Sequence, residues 1–335
     1  MRRSALTLWA LAALAALVAP ALANERQVFV AMSVLVLAVF ATSFNILLGY
    51  TGLVSFAHAA YYGIGAYTVA LLAFHVGASP LLGLVLAPFA AAAAAFLTGL
   101  IALRATRLYF ALLTLALGQL FFLIAFQWRS VTQGDDGVHG IVLPPFLNPT
   151  TTRYYFVLAL AAAALVAMGS IMRSPFGATL RAIRENRDRA GFLGIKVKRY
   201  ELASFTLGGG FAGYAGAMYA IFDRQAFPQL LEWTTSAEPI YVTLIGGLSS
   251  FAGPAVGAVV FGLLEDWITR NTEYWRALLG IVLLLIILFL PGGIVEGVKR
   301  VTALVTGRRL RKGPTAGDVE LEEPAEQAAT AGRAS

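Results

Sequence analysis

The sequence predicts an all-α protein: a polytopic inner-membrane helical bundle of about eight full spans plus one broken, re-entrant element. Three observations carry this. First, 59% of the 335 residues are hydrophobic and 13% charged, whereas soluble domains hold about a quarter charged residues. Second, Gln27–Leu103 contains no Asp, Glu, Lys or Arg, and a span takes about 20 apolar residues, so this run crosses a bilayer roughly three times. Third, the basic residues gather at Arg2/Arg3, Arg104/Arg107, the Arg173–Arg199 loop and the Lys299–Lys312 tail. All four on the inner side satisfy the positive-inside rule.

The segments follow in order. Arg2, Arg3 and the apolar stretch Ala5–Ala19 before Ala21-Leu22-Ala23 fit either a first span over residues 1–24 or a cleavable signal segment. Within Gln27–Leu103, the Gly49–Gly52 stretch and the Gly77–Pro80 turn supply the breaks. Uncharged runs then recur at Leu108–Trp128, Tyr154–Met172, Leu202–Phe222, Pro239–Leu264 and Ala277–Val295. Their length suits helices rather than the alternating ten-residue strands of a barrel. Loops 24–27, 77–80, 129–153 and 223–238 fall outside, and both termini are cytoplasmic if the first span is retained.

Parity singles out 239–264. One crossing there would leave the basic tail outside, so the segment is expected to enter and return, broken at Gly246-Gly247 and again at Gly253-Pro254. A faint internal repeat points the same way: Gly52–Ala57 (GLVSFA) recurs as Gly247–Ala252 (GLSSFA). A matching break near Gly49–Gly52, packed close to the second, is predicted. Residues 25–300 read as one membrane domain. The remainder, 301–335, is basic and then Pro-, Ala- and Glu-rich, the composition of a disordered cytoplasmic tail.

Composition excludes several classes. Without cysteine there are no disulfides or thiolate metal sites, and the net charge of +7 lies beside apolar segments, where it orients spans rather than binds nucleic acid. No metal site or cofactor is predicted; the Gln133–Gly140 stretch, with Asp135, Asp136 and His139, reads better as a tight turn or a docking loop. No Gly-x-x-x-x-Gly-Lys-[Ser/Thr] occurs, so any ATP is hydrolysed on another polypeptide. The spans hold only His58 and His75 as ionisable groups, which argues against an ion-coupled transporter. Neither a nucleophile–base set nor His-x-x-x-His is present for an intramembrane enzyme.

Two stretches hold the candidate functional residues. In the 174–199 loop, Ser174 and Pro175 are an N-cap and first-turn proline, and Gly194 is a helix stop. Arg181–Glu185, Arg184–Asp188 and Glu185–Arg189 form an i,i+4 ladder, while Phe176, Leu180 and Ile183 make an apolar stripe. A short helix over 176–193 is expected, with that stripe anchoring a partner. In 45–67, Asn45, Thr51, Ser55 and His58 accompany Gly49, Gly52, Gly63 and Gly65. This is either a polar pathway wall or tight helix packing with satisfied hydroxyls. Gly209-x-x-x-Gly213 suits packing within the chain.

SPFGATLRAIREN (Ser174–Asn186) followed by Leu193-Gly194-Ile195 resembles the coupling loop of LivM-type permeases of branched-chain amino-acid ABC importers. NILLGYTGLVSFAHAAYYGIGAY (Asn45–Tyr67), LIGGL (Leu244–Leu248) and GPAVGA (Gly253–Ala258) are similar to further blocks of that family. The departure is Arg187–Phe192, where members carry an Ala-rich, acidic stretch. The resemblance implies a permease subunit that is not itself an enzyme, passing branched-chain amino acids, with urea or short amides as the alternative cargo. It implies as partners a second homologous permease, two cytosolic ATPases, a periplasmic binding protein and the lipid bilayer. It also assigns Phe176, Gly177, Leu180, Arg181, Ile183, Arg184, Glu185, Asn186 and Gly194 to coupling. Gly246, Gly247, Ser250, Gly253 and Pro254 join Asn45, Gly49, Thr51, Gly52, Ser55, His58, Gly63 and Gly65 along the translocation path.

Overall fold

A computed structural model describes residues 17–18, 20, 23–248, 250–289 and 292–297. Most of the expected first span and the whole 301–335 tail lie outside the described residues. The described residues are mainly helical, with a two-stranded ribbon, β1 (Val138–His139) antiparallel to β2 (Gln225–Ala226).

Helix α1 (Glu25–Asn45) starts where the Asn24 N–H donates to Gln27 Oε1 at 3.0 Å, and it runs on into a π-helical stretch, Ile46–Thr51. Gly52, at φ 79°, ends it; this left-handed conformation suits a residue without Cβ. Residues 52–57 are non-helical, and α2 (His58–Val76) then runs to Gly77. Ser79 caps α3 (Pro80–Ala102), accepting from the Leu81 N–H, with Pro80 in its first turn. Helices α4 (Arg107–Gln127) and α5 (Thr150–Arg173) flank the polar 128–149 loop.

Two short helices, α6 (Pro175–Glu185) and α7 (Arg187–Phe192), precede α8 (Val197–Asp223). The expected single helix over 176–193 is thus two. Asn186 is extended (φ −155°, ψ 105°) and caps α7 by accepting from the Arg189 N–H at 2.9 Å. That kink puts Arg184–Asp188 and Glu185–Arg189 on different helices, so the predicted charge ladder does not form there.

Five described helices are long and apolar enough to cross a membrane: α1 with its π stretch, α2, α3, α4 and α5. The 27-residue α8 is as long as α1 with its π stretch but less apolar, because Gly and Ala replace large side chains where it packs on α2 and α3. A Cβ at Gly65 would strike the Gly213 backbone, one at Gly216 the Tyr62 carbonyl, and one at Gly209 the Ala95 side chain. Backbone approach of this kind drives helix association in lipid, where apolar burial supplies little. The Gly209-x-x-x-Gly213 stretch therefore packs within the chain, as expected.

The predicted broken element is present. Helix α9 (Trp233–Gly246) stops, residues 247–248 and 250–252 are non-helical with Gly247 at φ 109°, and α10 (Gly253–Asn271) follows. The two glycine motifs bracket one link rather than making two breaks. The last described helix, α11, spans Trp275–Phe289. The helices of the broken element outrun the uncharged segment at both ends, so the expectation that His58 and His75 are the only ionisable groups in the spans is corrected. Glu201 lies in α8, Glu238 in α9, and Glu265 and Asp266 in α10. Asp266 pairs with Arg26 at 3.0 Å and with Arg270, which brings the end of α10 to the start of α1.

Candidate functional site

The internal repeat is a structural one. In each copy a glycine of positive φ ends a helix, and six residues later a 19-residue helix starts, at His58 after Gly52 and at Gly253 after Gly247. The second link approaches the π-helical end of α1: a Cβ on Gly49 would lie 3.1 Å from the Leu248 carbonyl oxygen. Ser236 of α9 fastens the second half to the first, accepting from the Ala59 N–H at 2.9 Å and donating to the Phe56 carbonyl at 2.7 Å.

The polar residues of 45–67 divide into three kinds. Thr51 Oγ1 reaches the Ile46 carbonyl (3.0 Å) and Ser204 Oγ (3.1 Å), and Ser204 donates to the Glu201 carbonyl at 2.9 Å. Ser55 is buried and accepts from the Ala57 N–H. His58 stacks on Phe40; its Nε2 lies 2.8 Å from Ser43 Oγ, which itself donates to the Phe40 carbonyl. Each of these three side chains makes at least one hydrogen bond with its neighbours. Gly63 and Gly65 are close-packing positions, against Leu231 and Gly213. Asn45 is buried with no partner for either amide atom, and His58 Nδ1 and the Tyr67 hydroxyl are likewise buried without one.

At the second link, Gly246 and Gly253 pack backbone to backbone and Gly257 rests on the Val242 carbonyl. Pro254 is buried in the first turn of α10, and Ser250 is half-buried in the link.

Helix α6 lies directly against the first link. Arg184 Nη1 donates to the Gly49 carbonyl, the Arg184 stem lies beside Gly52, and the Arg181 guanidinium sits 5.7 Å from the Tyr50 ring centroid. Gly177 fits under the Met172 backbone, and Phe176 stacks on Tyr200. Leu180 and Ile183 are buried in the chain's own bundle, which corrects their reading as anchors for a partner. The apolar stripe is used to seat α6 on the membrane domain, leaving Arg181, Arg184 and Glu185 along its exposed side. Gly194, at φ 84°, turns the chain towards α8.

Sequence reasoning missed two features of this loop. Arg187 Nη2 bonds Glu201 Oε2 at 2.8 Å, tying α7 to α8. Phe192 and Leu193 are 92% and 78% exposed, two large apolar side chains with Arg189 and Lys196 close by in sequence. The Gln133–Gly140 stretch is held by its own chain: Asp135 accepts from Gln229 (3.2 Å), and the His139 and Gln225 side chains pair at 2.9 Å within the ribbon. Among the described residues no group of three or more His, Cys, Asp or Glu is placed to hold a metal ion.

A multi-pass helical bundle whose helices break at paired, glycine-marked links has the build of a membrane transport protein. The chain belongs to the family described as "Branched-chain amino acid transport system / permease component", whose profile it matches over residues 27–287. It is 26% identical over 316 residues to the LivM permease protein of a high-affinity branched-chain amino acid transport system in Salmonella typhimurium, covering 86% of this chain and 74% of that one. The Escherichia coli K12 LivM protein is also 26% identical, over 82% of this chain and 71% of its own. The LivH permease protein of Salmonella typhimurium is 26% identical over 77% and 90%. No solved structure matches. The chain is a multi-pass membrane permease.

Proposed function

We propose that the chain is the permease subunit of an ATP-driven importer for branched-chain amino acids, set in the bacterial inner membrane with loop 173–199 in the cytoplasm. Residues 25–300 act as the permease domain and 301–335 as a cytoplasmic tail. The relatives are permease proteins of branched-chain amino acid systems, and the chain has no phosphate-binding loop. ATP is therefore hydrolysed on two cytosolic ATPase subunits, a second homologous permease completes the conduit, and a periplasmic protein delivers the solute. The loop's eight Lys and Arg against two acidic residues support the orientation.

The exposed Phe192–Leu193 pair carries the reading. Large apolar side chains on a charged, water-facing loop suit the anchors of a protein interface with a polar rim. Helix α6 is then the lever: a partner pushes the α7 end, while Arg184 holds the carbonyl of Gly49 at the first link. The route from docking surface to pathway is a single contiguous set of contacts.

The test is the double variant Phe192→Asp/Leu193→Asp. It is expected to insert normally but to lose co-purification with the ATPases and import. Wild-type assembly and import would overturn the proposal. Single thiols placed at Asp188 and at Val142 should react with an impermeant reagent from the cytoplasmic and periplasmic sides respectively.

A further inference from the structure

Two arginines meet at the end of the bundle opposite the 174–199 loop. Arg153 lies near the start of α5, and Arg224 follows the last residue of α8. Both guanidiniums converge on Asn148: Arg153 Nη2 donates to its backbone carbonyl at 2.9 Å, and Arg224 Nη2 to its side-chain Oδ1 at 3.1 Å. Arg153 also donates to the Leu147 carbonyl at 3.2 Å and to the Phe222 carbonyl at 3.1 Å. Those neutral acceptors occupy its N–H groups but leave its charge uncompensated. Arg224 Nε is buried with no partner, and a guanidinium has five donors, so this side chain keeps capacity for an acceptor. Among the described residues neither arginine pairs with a carboxylate. Asp223, next in sequence, is turned to Tyr219 and Gln225 instead.

The backbone at Arg224 is strained as well. It takes the left-handed conformation, φ 61° and ψ 30°, at a helix end where glycine is favoured and a Cβ is costly. Folding alone would favour glycine here, so the strain points to a use for the side chain. Orientation does not explain it, because basic residues on the outer side oppose the positive-inside signal. The Ile141 N–H donates to the Arg224 carbonyl at 3.1 Å, which fastens the neighbouring loop to the arginine pair. Beyond that bond a groove of about 580 Å³ runs between the end of α2, the Gly77–Pro80 turn and residues 138–144. Phe74 and Val142, 55% and 83% exposed, line it. Phe146, 53% exposed, stands two residues before Asn148.

We infer that this corner, Arg153 and Arg224 beside the 138–144 groove, is a docking surface for the acidic face of a water-soluble protein. Resting on the importer reading, the occupant is the periplasmic protein that delivers the solute. Carboxylates of the partner meet Arg224, whose planar fork matches them in two-pronged geometry, and Arg153 adds to the positive field. An apolar side chain of the partner enters the groove beside Val142 as an anchor. The charges then set the orientation and rate of encounter. A turn and a loop at the water-facing end frame the groove, which suits a folded protein better than acyl chains.

The experiment uses the full chain with a photo-reactive benzoylphenylalanine in place of Val142, irradiated in intact cells, with adducts identified by mass spectrometry. The expected adduct is a periplasmic solute-binding protein. That protein is then purified and titrated against the chain in nanodiscs of neutral lipid. Arg224→Glu should weaken binding about tenfold or more. Raising salt from about 50 to about 500 mM should weaken the wild type and barely change this variant. Arg224→Gly relieves the left-handed strain and removes one exposed bond to Asn148, so its melting temperature should hold within about 3 °C. Its binding should nonetheless fall about as far as that of the glutamate variant. Adducts with phospholipid alone, no adduct at all, or full binding in both Arg224 variants would overturn the surface. ATPase co-purification is scored on the same preparations. Binding indifferent to Arg224 with the ATPases attached overturns the surface alone. Arg224-dependent binding of a soluble protein of another kind, with no ATPase attached, overturns the importer reading alone.

Discussion

At the first link, residues 52–57, side chains do the holding. Thr51 reaches Ser204, Ser236 brackets Phe56 and Ala59, and Thr114 accepts from the Phe56 N–H at 3.1 Å. At the second, residues 247–252, the backbone itself is the contact surface. Gly246 meets Gly253, Gly257 meets the Val242 carbonyl, and Gly247 meets Gly292 and Gly293. Among its described residues this link makes local backbone bonds, Gly247 N–H to Thr243 at 2.9 Å and Gly253 N–H to Ser250 at 3.0 Å. Two copies of one motif thus break a helix for the same reason, a glycine at positive φ, but are fixed by different forces. Directional bonds tie the first to α4, α8 and α9. Close glycine contact shapes the second, and such contact tolerates sliding better than a hydrogen-bond lattice.

The sharpest way to break this comparison is Gly257→Leu. Its Cβ would fall on the Val242 carbonyl, which is backbone and cannot rotate away. A loss of about 4 kcal/mol or more is expected, the range of severe overpacking, seen as failure to elute as a folded species from detergent. Gly77→Ala is the control: at φ 64° with open space around it, it should lose only about 1–2 kcal/mol, the left-handed strain alone. If both variants melt alike, α9 and α10 are not packed backbone to backbone.

Next in size is the tie between the surface loop and α8. The Glu201 carboxylate is 3% exposed and the Arg187 guanidinium 39%. Arg187→Ala strands a buried carboxylate and is expected to destabilise by about 3 kcal/mol. Glu201→Gln leaves a neutral amide able to accept from Arg187 and should cost about 1 kcal/mol or less. The pair is read by thermal unfolding in detergent. A smaller effect for arginine removal than for the glutamine swap would show that the loop is not anchored through this contact.

That ion pair also shows where the sequence was legible. Uncharged runs, basic clusters and the GLVSFA/GLSSFA repeat were enough for the described apolar helices, the break and the approach of the Gly49 region to the second link, because each rests on local composition or on glycine. The Arg187–Phe192 stretch was legible only as a departure from the family pattern. Its meaning needed tertiary contacts, since Glu201 lies beyond the Gly194 turn and no periodicity joins it to Arg187. The stripe Phe176, Leu180 and Ile183 was visible, but not which surface it covers. A helix face reads the same whether it packs on its own chain or on a partner.

The smallest expected effect is the most direct test of the difference between the links. Thr51→Val keeps the side-chain shape but removes the hydroxyl that reaches the Ile46 carbonyl and Ser204 Oγ. Ser204 keeps its donation to Glu201 and loses only an incoming bond, so about 1 kcal/mol is expected. Ser250 Oγ, in the second link, makes no hydrogen bond among the described residues, so Ser250→Ala should stay within about 0.5 kcal/mol. Hydrogen exchange at the Leu53 amide, which bonds the Leu47 carbonyl at 3.0 Å across the π-helical end, localises the first effect. It should speed up in Thr51→Val and stay unchanged in Ser250→Ala. Equal acceleration in both would mean that one hydrogen-bond lattice spans the two links, and that the second is no freer to move than the first.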